Sequence, residues 1–308
     1  MKSVNRTAAK TAANLGAKVS LALTLTALFA ACGQAPQTRN IASADAQIIG
    51  GKDSDGTEDY AKHTVILYDT EVGALCTASI LSKSILVTAA HCVASDADVL
   101  KVAFGTDMNS KTLQIRNVVA YQVSPVWAFR QNQELNTGDI ALVRFEGGLP
   151  AGYEPVNFLT DATKLTNNMD VMLAGYGAAK VNRVQDPKSG AMVSDHADAG
   201  KLRSVTTTMK NATYSKSEFL VEASKGKSAC HGDSGGPAYV TVEVEKDGKT
   251  VTETVLTGVT SRGVDDELDM CNVSAAYTSI PFYSSWIVST SKQLDAAVIP
   301  APTRVASH

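Results

Sequence analysis

From Ile48 onward the chain consists of short apolar stretches, rich in β-branched residues and set between turn signals. They are HTVILYD at 63–69, SILVTAA at 84–90, DVLKVAFG at 98–105, DIALVRF at 139–145 and DVMLAGYG at 170–177. LRSVTTTM at 202–209, AYVTVEVE at 238–245 and TVTETVLTGVTS at 250–261 continue the series. Many short strands at this spacing predict an all-β sandwich or barrel. EKDGKT at 245–250 reads as a hairpin turn, with Asp247 and Gly248 supplying the tight bend. One stretch has a helical period: PFYSSWIVSTSKQLDAA at 281–297, with Pro281 near its start and Trp286, Ile287 and Leu294 on one face. No internal repeat is visible, and the strand count suits two barrels of similar size.

The first 47 residues follow a different pattern. Lys2, Arg6, Lys10 and Lys18 form a positive start without an acid. The 13-residue apolar run from Val19 to Ala31 follows and ends at Cys32. This is the make-up of a secretory signal, and the run is shorter than the ~20 residues a membrane-spanning helix needs. The end, LFAACGQ, resembles a bacterial lipobox, in which the cysteine is lipidated and becomes the new N-terminus; Phe29 stands where such boxes have leucine. Ordinary cleavage after a small residue is the alternative. Five cysteines leave an odd one, and a lipidated Cys32 would leave four to pair. A diacyl anchor holds a protein stably, whereas a single chain does not. Residues 33–47 are small and polar, and read as a linker or propeptide. The layout is thus a lipoprotein-type signal at 1–32, the linker at 33–47, one domain at 48–295 and a mobile tail at 296–308.

The 308 residues are 44% hydrophobic and 19% charged, which suits a globular chain with a substantial core. A net charge of −3 gives no basic footprint for nucleic acid. Removal of residues 1–47 leaves 23 basic against 30 acidic residues, a net charge of −7. An acidic, soluble, exported body is the expectation, and a monomer.

The stretch SACHGDSGGP at 228–237 points to chemistry. A serine hydroxyl is a weak nucleophile at neutral pH. It needs a base, a carboxylate to orient that base, and donors for the oxyanion that forms on the attacked carbonyl. Of the five histidines, His91 stands just after a strand in VTAAHC, where Cys92 could pin it. Asp139 stands at the mouth of another strand in NTGDIALV, and Ser234 stands in GDSGGP. Gly232 lets the backbone turn so that the N–H groups of Gly232 and Ser234 converge; a side chain there would crowd the site. Each feature alone has a bland explanation, as a turn residue or a flexible loop. Their conjunction, in the order His, Asp, Ser, does not.

In these segments the chain resembles a trypsin/chymotrypsin-type serine protease. The matching stretches are IIGG (48–51), TAAHC (88–92), GDIALV (138–143), AGYG (174–177), CHGDSGGP (230–237), GVTSRG (258–263) and AYTSI (276–280), with the closing helix. The resemblance covers about 48–295. It implies two six-stranded antiparallel β-barrels with a C-terminal helix and an active site between the barrels. Carried over residue by residue, His91 is the general base, Asp139 the orienting acid and Ser234 the nucleophile. Gly232 and Ser234 donate to the oxyanion. Ser261 supports Asp139 and, with Arg262 and Gly263, offers a strand edge to the substrate backbone. Four cysteines allow three pairings. The family pattern selects Cys76–Cys92 and Cys230–Cys271, which an oxidising compartment permits.

The resemblance also implies activation by cleavage. The new terminus would be Ile48, and its amine would pair with Asp233. Gln47 departs from the basic residue many relatives carry before the cut, so a trypsin-like activator is not implied, and self-processing is compatible. The pocket base is Ser228, which cannot match a substrate's positive charge. Gly263 leaves one pocket wall open and Ala275 narrows the other. A neutral P1 residue of small to medium size is expected, with peptides or proteins as the substrates. Arg262 and DDELD at 265–269 read as solvated loop charges, and His231 as a pocket-rim residue. His63, His196 and His308 read as structural or exposed. No cofactor is implied, nor a metal, since no paired CxxC spacing occurs. The rival readings are a non-catalytic homologue acting as a secreted binding protein and a lipid-anchored structural β-protein.

Overall fold

The computed structural model describes residues 48–296, apart from 188, 197, 224, 225, 247 and 266–269. The chain first forms β1 (Lys52–Asp53), β2 (Thr64–Asp69), β3 (Ala74–Ile80), β4 (Ile85–Thr88), β5 (Leu100–Phe104) and β6 (Gln114–Val123). A one-turn helix, α1 (Trp127–Arg130), precedes β7 (Ala141–Phe145) and β8 (Asp170–Gly175). There follow β9 (Asn182–Gln185), β10 (Met192–Asp195), β11 (Arg203–Asn211), β12 (Glu218–Val221), β13 (Pro237–Lys246), β14 (Lys249–Gly263), β15 (Ala275–Ser279) and the long helix α2 (Ile280–Ala296).

Two barrels result. The first runs β2–β3–β4–β7–β6–β5 and closes through β2–β5. The second runs β11–β12–β15–β14–β13–β8 and closes through β8–β11, with β1 added beside β11. All pairings within both are antiparallel. Two closed six-stranded antiparallel barrels and one long C-terminal helix are the fold class the resemblance implied.

Burial explains why the apolar runs were continuous rather than alternating. Val65, Ile66 and Leu67 on β2 are all fully buried, as are Ile85, Leu86 and Val87 on β4. Such strands are covered on both faces, inside by the barrel and outside by the other barrel or by α2. One apolar cluster fills the first barrel and continues through Tyr176, Tyr239 and Val259 into Ile280, Ile287 and Leu294 of α2. Tyr176 crosses between the barrels, its hydroxyl donating to the carbonyls of Gly105 at 2.7 Å and Thr64 at 3.2 Å. A second cluster, with Ile48, Val171, Phe219, Val240 and Tyr277, fills the second barrel.

Several elements depart from the hydrophobic pattern. The strand β6 was not visible in it, because most of its residues are exposed or half-buried. The β9–β10 hairpin is exposed, and β12 has only four residues. The pairing of β13 with β14 runs to Lys246↔Lys249, leaving a two-residue connection in which Gly248 has φ +71° and Asp247 lies outside the described residues. The helix begins one residue before Pro281, and Ala296 belongs to it rather than to a tail. Residues 1–47, expected to be signal and linker, and residues 297–308 lie outside the described residues.

Candidate active site

Strand register brings the first two site residues together. β4 and β7 pair antiparallel with Thr88 opposite Ala141, so the turn after β4 meets the residues before β7. His91 lies in the 3₁₀ turn Ala90–Val93, and Asp139 lies two residues before β7. Asp139 is 2% exposed. Its Oδ1 accepts the backbone N–H of His91 at 3.0 Å, and its Oδ2 lies 2.8 Å from His91 Nδ1. A carboxylate acceptor requires Nδ1 to carry the proton, which leaves Nε2 as the basic nitrogen of the neutral ring. Ser261 Oγ donates to the same Oδ2 at 2.7 Å, and Thr278 Oγ1 donates to the Asp139 carbonyl at 2.8 Å. Ser261 is the extra residue where β14 slips register against β15, between Thr260 and Arg262. A bulge re-aims a side chain in this way. Burial works against the His91 imidazolium, but the hydrogen bond and charge of Asp139 outweigh it and raise the His91 pKa above the ordinary value.

The loop from Cys230 to Gly236 carries Ser234. Four of its backbone donors are paired: Cys230 N–H to Asp233 Oδ2, Asp233 N–H to the Cys230 carbonyl, Gly235 N–H to that of Thr260, and Gly236 N–H to that of Asp233. The N–H groups of Gly232 and Ser234 have no acceptor among the described residues. Thr77 of β3 fixes the loop from below, donating through Oγ1 to the Gly232 carbonyl at 2.7 Å and through N–H to the Ser234 carbonyl at 2.8 Å. Gly232 has φ +98°, and a Cβ there would come within 2.9 Å of Gly177 Cα. At Gly235, with φ +79°, a Cβ would lie 2.0 Å from Thr88 Oγ1. Both positions therefore require glycine.

His91 and Ser234 line one cavity of about 840 Å³, together with Gly232, Ser261, Gly263 and Ala275. The Ser234 hydroxyl makes no hydrogen bond with another described residue, a common state for such groups before substrate closes the geometry. Gly263 and Ala275 are direct partners across β14 and β15. From Ser261 to Gly263 the opposite edge of β14 has no strand partner among the described residues. Ser228 differs from the expectation. It is 3% exposed, is not among the cavity-lining residues, and donates its hydroxyl to the Cys271 carbonyl. The neutral side chain is therefore committed behind the wall, not presented on it.

His231 is exposed on the cavity rim, as expected, but it is not alone. His196, carried in by the β9–β10 excursion, also lines the cavity, with its ring 4.2 Å from that of His231. His63 is buried, with Nδ1 2.8 Å from the Glu154 carbonyl. His308 and residues 266–269 lie outside the described residues. Arg262 is not a solvated loop charge. It is paired with Glu218, whose side chain has no exposure.

Asp233 lies beneath the serine loop and is 2% exposed. Among the described residues its carboxylate takes hydrogen bonds from Gly177 N–H at 2.8 Å and Cys230 N–H at 2.9 Å, not from Ile48. Burial raises its pKa to about 7, against the opposing pull of those two donors and of Arg203 and His231. Ile48 is 1% exposed with φ +30°, its side chain in the core of the second barrel. Disulfides join Cys76 to Cys92 and Cys230 to Cys271, one beside His91 and one beside the serine loop. Cys32 lies outside the described residues. Glu218 was not legible in the sequence. An acid at the start of a four-residue strand carries no local signal of burial.

A family model described as Trypsin matches residues 48–287. Trypsin alpha of Drosophila melanogaster is 27% identical over 221 residues, 71% of this chain and 78% of that protein. Hypodermin-A of Hypoderma lineatum is 25% identical over 263 residues, 82% of this chain and 91% of that protein. Chymotrypsin-like elastase family member 1 of Homo sapiens is 27% identical over 263 residues, 81% of this chain and 94% of that protein. All three come from animals, so the bacterial source suggested by the lipobox has no support among them. Among the described residues no helix is long and apolar enough to cross a membrane.

Proposed function

The chain belongs to the trypsin family of serine proteases, and on that premise we propose that it is an endopeptidase working through an acyl-enzyme on Ser234. His91 Nε2 takes the Ser234 proton as the hydroxyl attacks the scissile carbonyl, then delivers it to the leaving amine. Asp139 holds the tautomer and stabilises the imidazolium, and Ser261 steadies Asp139. The N–H groups of Gly232 and Ser234 receive the oxyanion. Water, activated by the same base, then releases the acyl group. The observation that carries this reading is His91, held by the buried Asp139, sharing a cavity with a serine whose loop leaves the Gly232 and Ser234 N–H groups without acceptors.

The substrate's main chain would pair with the open edge of β14 at Ser261–Gly263. A neutral P1 side chain of small to medium size is the expected choice, because the residue behind the wall, Ser228, supplies no charge to it and the Ala275 methyl narrows the wall itself. Burying an unpartnered guanidinium there would cost several kcal/mol.

Cleavage before Ile48 would switch the enzyme on. In the uncut chain Asp233 is buried with backbone donors alone, and the freed Ile48 amine would give it a charged partner. The signal-like start supports export, with lipid attachment at Cys32 as the finer form. The domain would then run over 48–295.

Labelling of the cleaved chain with a serine-directed fluorophosphonate tests the reading, alongside hydrolysis of a peptide library. Ser234→Ala and His91→Ala should each abolish both signals. Peptide cleavage that survives Ser234→Ala would overturn the assignment. Stable folding with no labelling of the cleaved parent would favour a non-catalytic binding protein instead.

A further inference from the structure

An ion pair with one fully buried partner lies between the loop that carries Asp139 and the strand that carries Ser261. Glu218, the first residue of β12, has a side chain with no exposure. Arg262 Nη1 donates to its Oε1 at 2.9 Å and Nη2 to its Oε2 at 3.3 Å. Such a carboxylate persists in the interior only if its remaining lone pairs are filled. Here they are. Oε2 accepts Asn136 N–H at 2.8 Å and Ser215 Oγ at 2.9 Å. Oε1 accepts Thr137 N–H at 3.2 Å and Thr137 Oγ1 at 3.0 Å. One carboxylate thus clamps the two residues that precede Gly138 and Asp139. Asn136, held at φ +53°, returns the contact by accepting from Ser217 N–H at 3.0 Å.

Arg262 extends the network in the other direction. Its Nη1 donates to Ser261 Oγ at 3.3 Å, and that hydroxyl donates to Asp139 Oδ2 at 2.7 Å. Its Nη2 also donates to the Glu134 carbonyl. The other ionisable groups around the pair are Arg130 of α1, which holds the Asn136 and Leu135 carbonyls at 2.8 and 2.9 Å, and Tyr283 of α2. The charge facing His91 itself is Asp139.

We infer that Glu218 and Arg262 are positioning residues for the triad: the pair ties the Asp139 loop to the Ser261 strand, and Glu218 neutralises the guanidinium so that the Asp139 charge acts on His91. The inference rests on the proposed roles of His91 and Asp139. It carries a signature that a purely structural pair lacks. Without Glu218, an unmatched cation stands one hydroxyl away from Asp139 and draws its charge from the imidazole. Without Arg262, two carboxylates face the imidazole's side of the network with less positive charge between them.

The test is a ¹⁵N-histidine NMR titration of His91 in a Ser234→Ala background, so the readout does not depend on activity. Glu218→Gln should lower the His91 pKa by about half a pH unit, and Arg262→Met should raise it by a similar amount. The double variant should return it to the parent value, since neither charge remains. In the Ser234 chain both single variants should lower kcat/KM at least about tenfold, mostly in kcat. Single variants that shift His91 in the same direction, or folded variants that do not shift it at all, would overturn the inference. Should Glu218→Gln fail to fold, Arg262→Met decides alone: an upward shift supports the pair's role, and a downward or absent shift refutes it. Opposite shifts in a chain that cleaves no peptide would uphold the pair while sinking the protease reading.

Discussion

The buried Asp233 makes the uncut chain's stability depend on pH in an unusual direction. Its carboxyl is 2% exposed and titrates near 7 in the fold, against 3.8 for a free aspartate. Between those values the unfolded chain has released its proton while the folded chain has kept it, so stability falls as pH rises. The contribution is complete below about pH 4 and is lost as pH rises through about 7. A shift of this size corresponds to about 4 kcal/mol in all, at about 1.4 kcal/mol per pH unit. The assay is urea unfolding of the full chain carrying Ser234→Ala, at intervals from pH 4 to pH 8, beside the same chain with Asp233→Asn. The amide keeps the shape but cannot titrate. It also places an NH₂ group against either the Gly177 or the Cys230 donor, so the variant should lose about 1–2 kcal/mol at acid pH through one unmade hydrogen bond. The gap between the two chains should then close at about pH 5, reverse above it, and level off once pH exceeds about 7. A gap that stays constant across the range would refute the assignment of the raised pKa to Asp233. The same experiment on a chain beginning at Ile48 tests activation. There the amine should pair with the carboxylate and remove the fall, and N-terminal sequencing of the mature protein should begin at Ile48.

Three further outcomes follow from the site. Asp139→Asn removes both the charge and the tautomer lock of His91, so kcat should fall about 10⁴-fold and the acid limb of kcat/KM should move to lower pH; an unmoved limb would mean that Asp139 does not set the base. Gly235→Ala forces a left-handed φ and a methyl into the Thr88 hydroxyl, and thermal unfolding should show a loss of about 2–4 kcal/mol with Ser234 displaced. A P1-varied peptide library should give cleavage after neutral residues, and dominant cleavage after Arg or Lys would refute the reading of Ser228.

How legible each part was depends on what its chemistry asks of the chain. His91 and Gly232 satisfy requirements set by the backbone around them, so their neighbours are constrained and the local sequence reveals them. The strands β2 and β4 are buried on both faces, which leaves no alternation but an unmistakable apolar run. The strand β6 is held by pairing with β5 and β7 while most of its side chains meet water, so nothing in its hydrophobicity marks it. Glu218 and Arg262 are harder still. They stand 44 residues apart, and each is an ordinary surface residue type that becomes legible only when β12 and β14 flank the same strand, β15. The same limit explains Ser228. Its identity was visible, but its commitment to the Cys271 carbonyl depends on a contact across 43 residues. Substrate choice should accordingly depend less on that hydroxyl than on the wall in front of it. A Ser228→Ala enzyme that keeps its P1 profile would support this view, whereas a profile that changes would return the hydroxyl to the pocket.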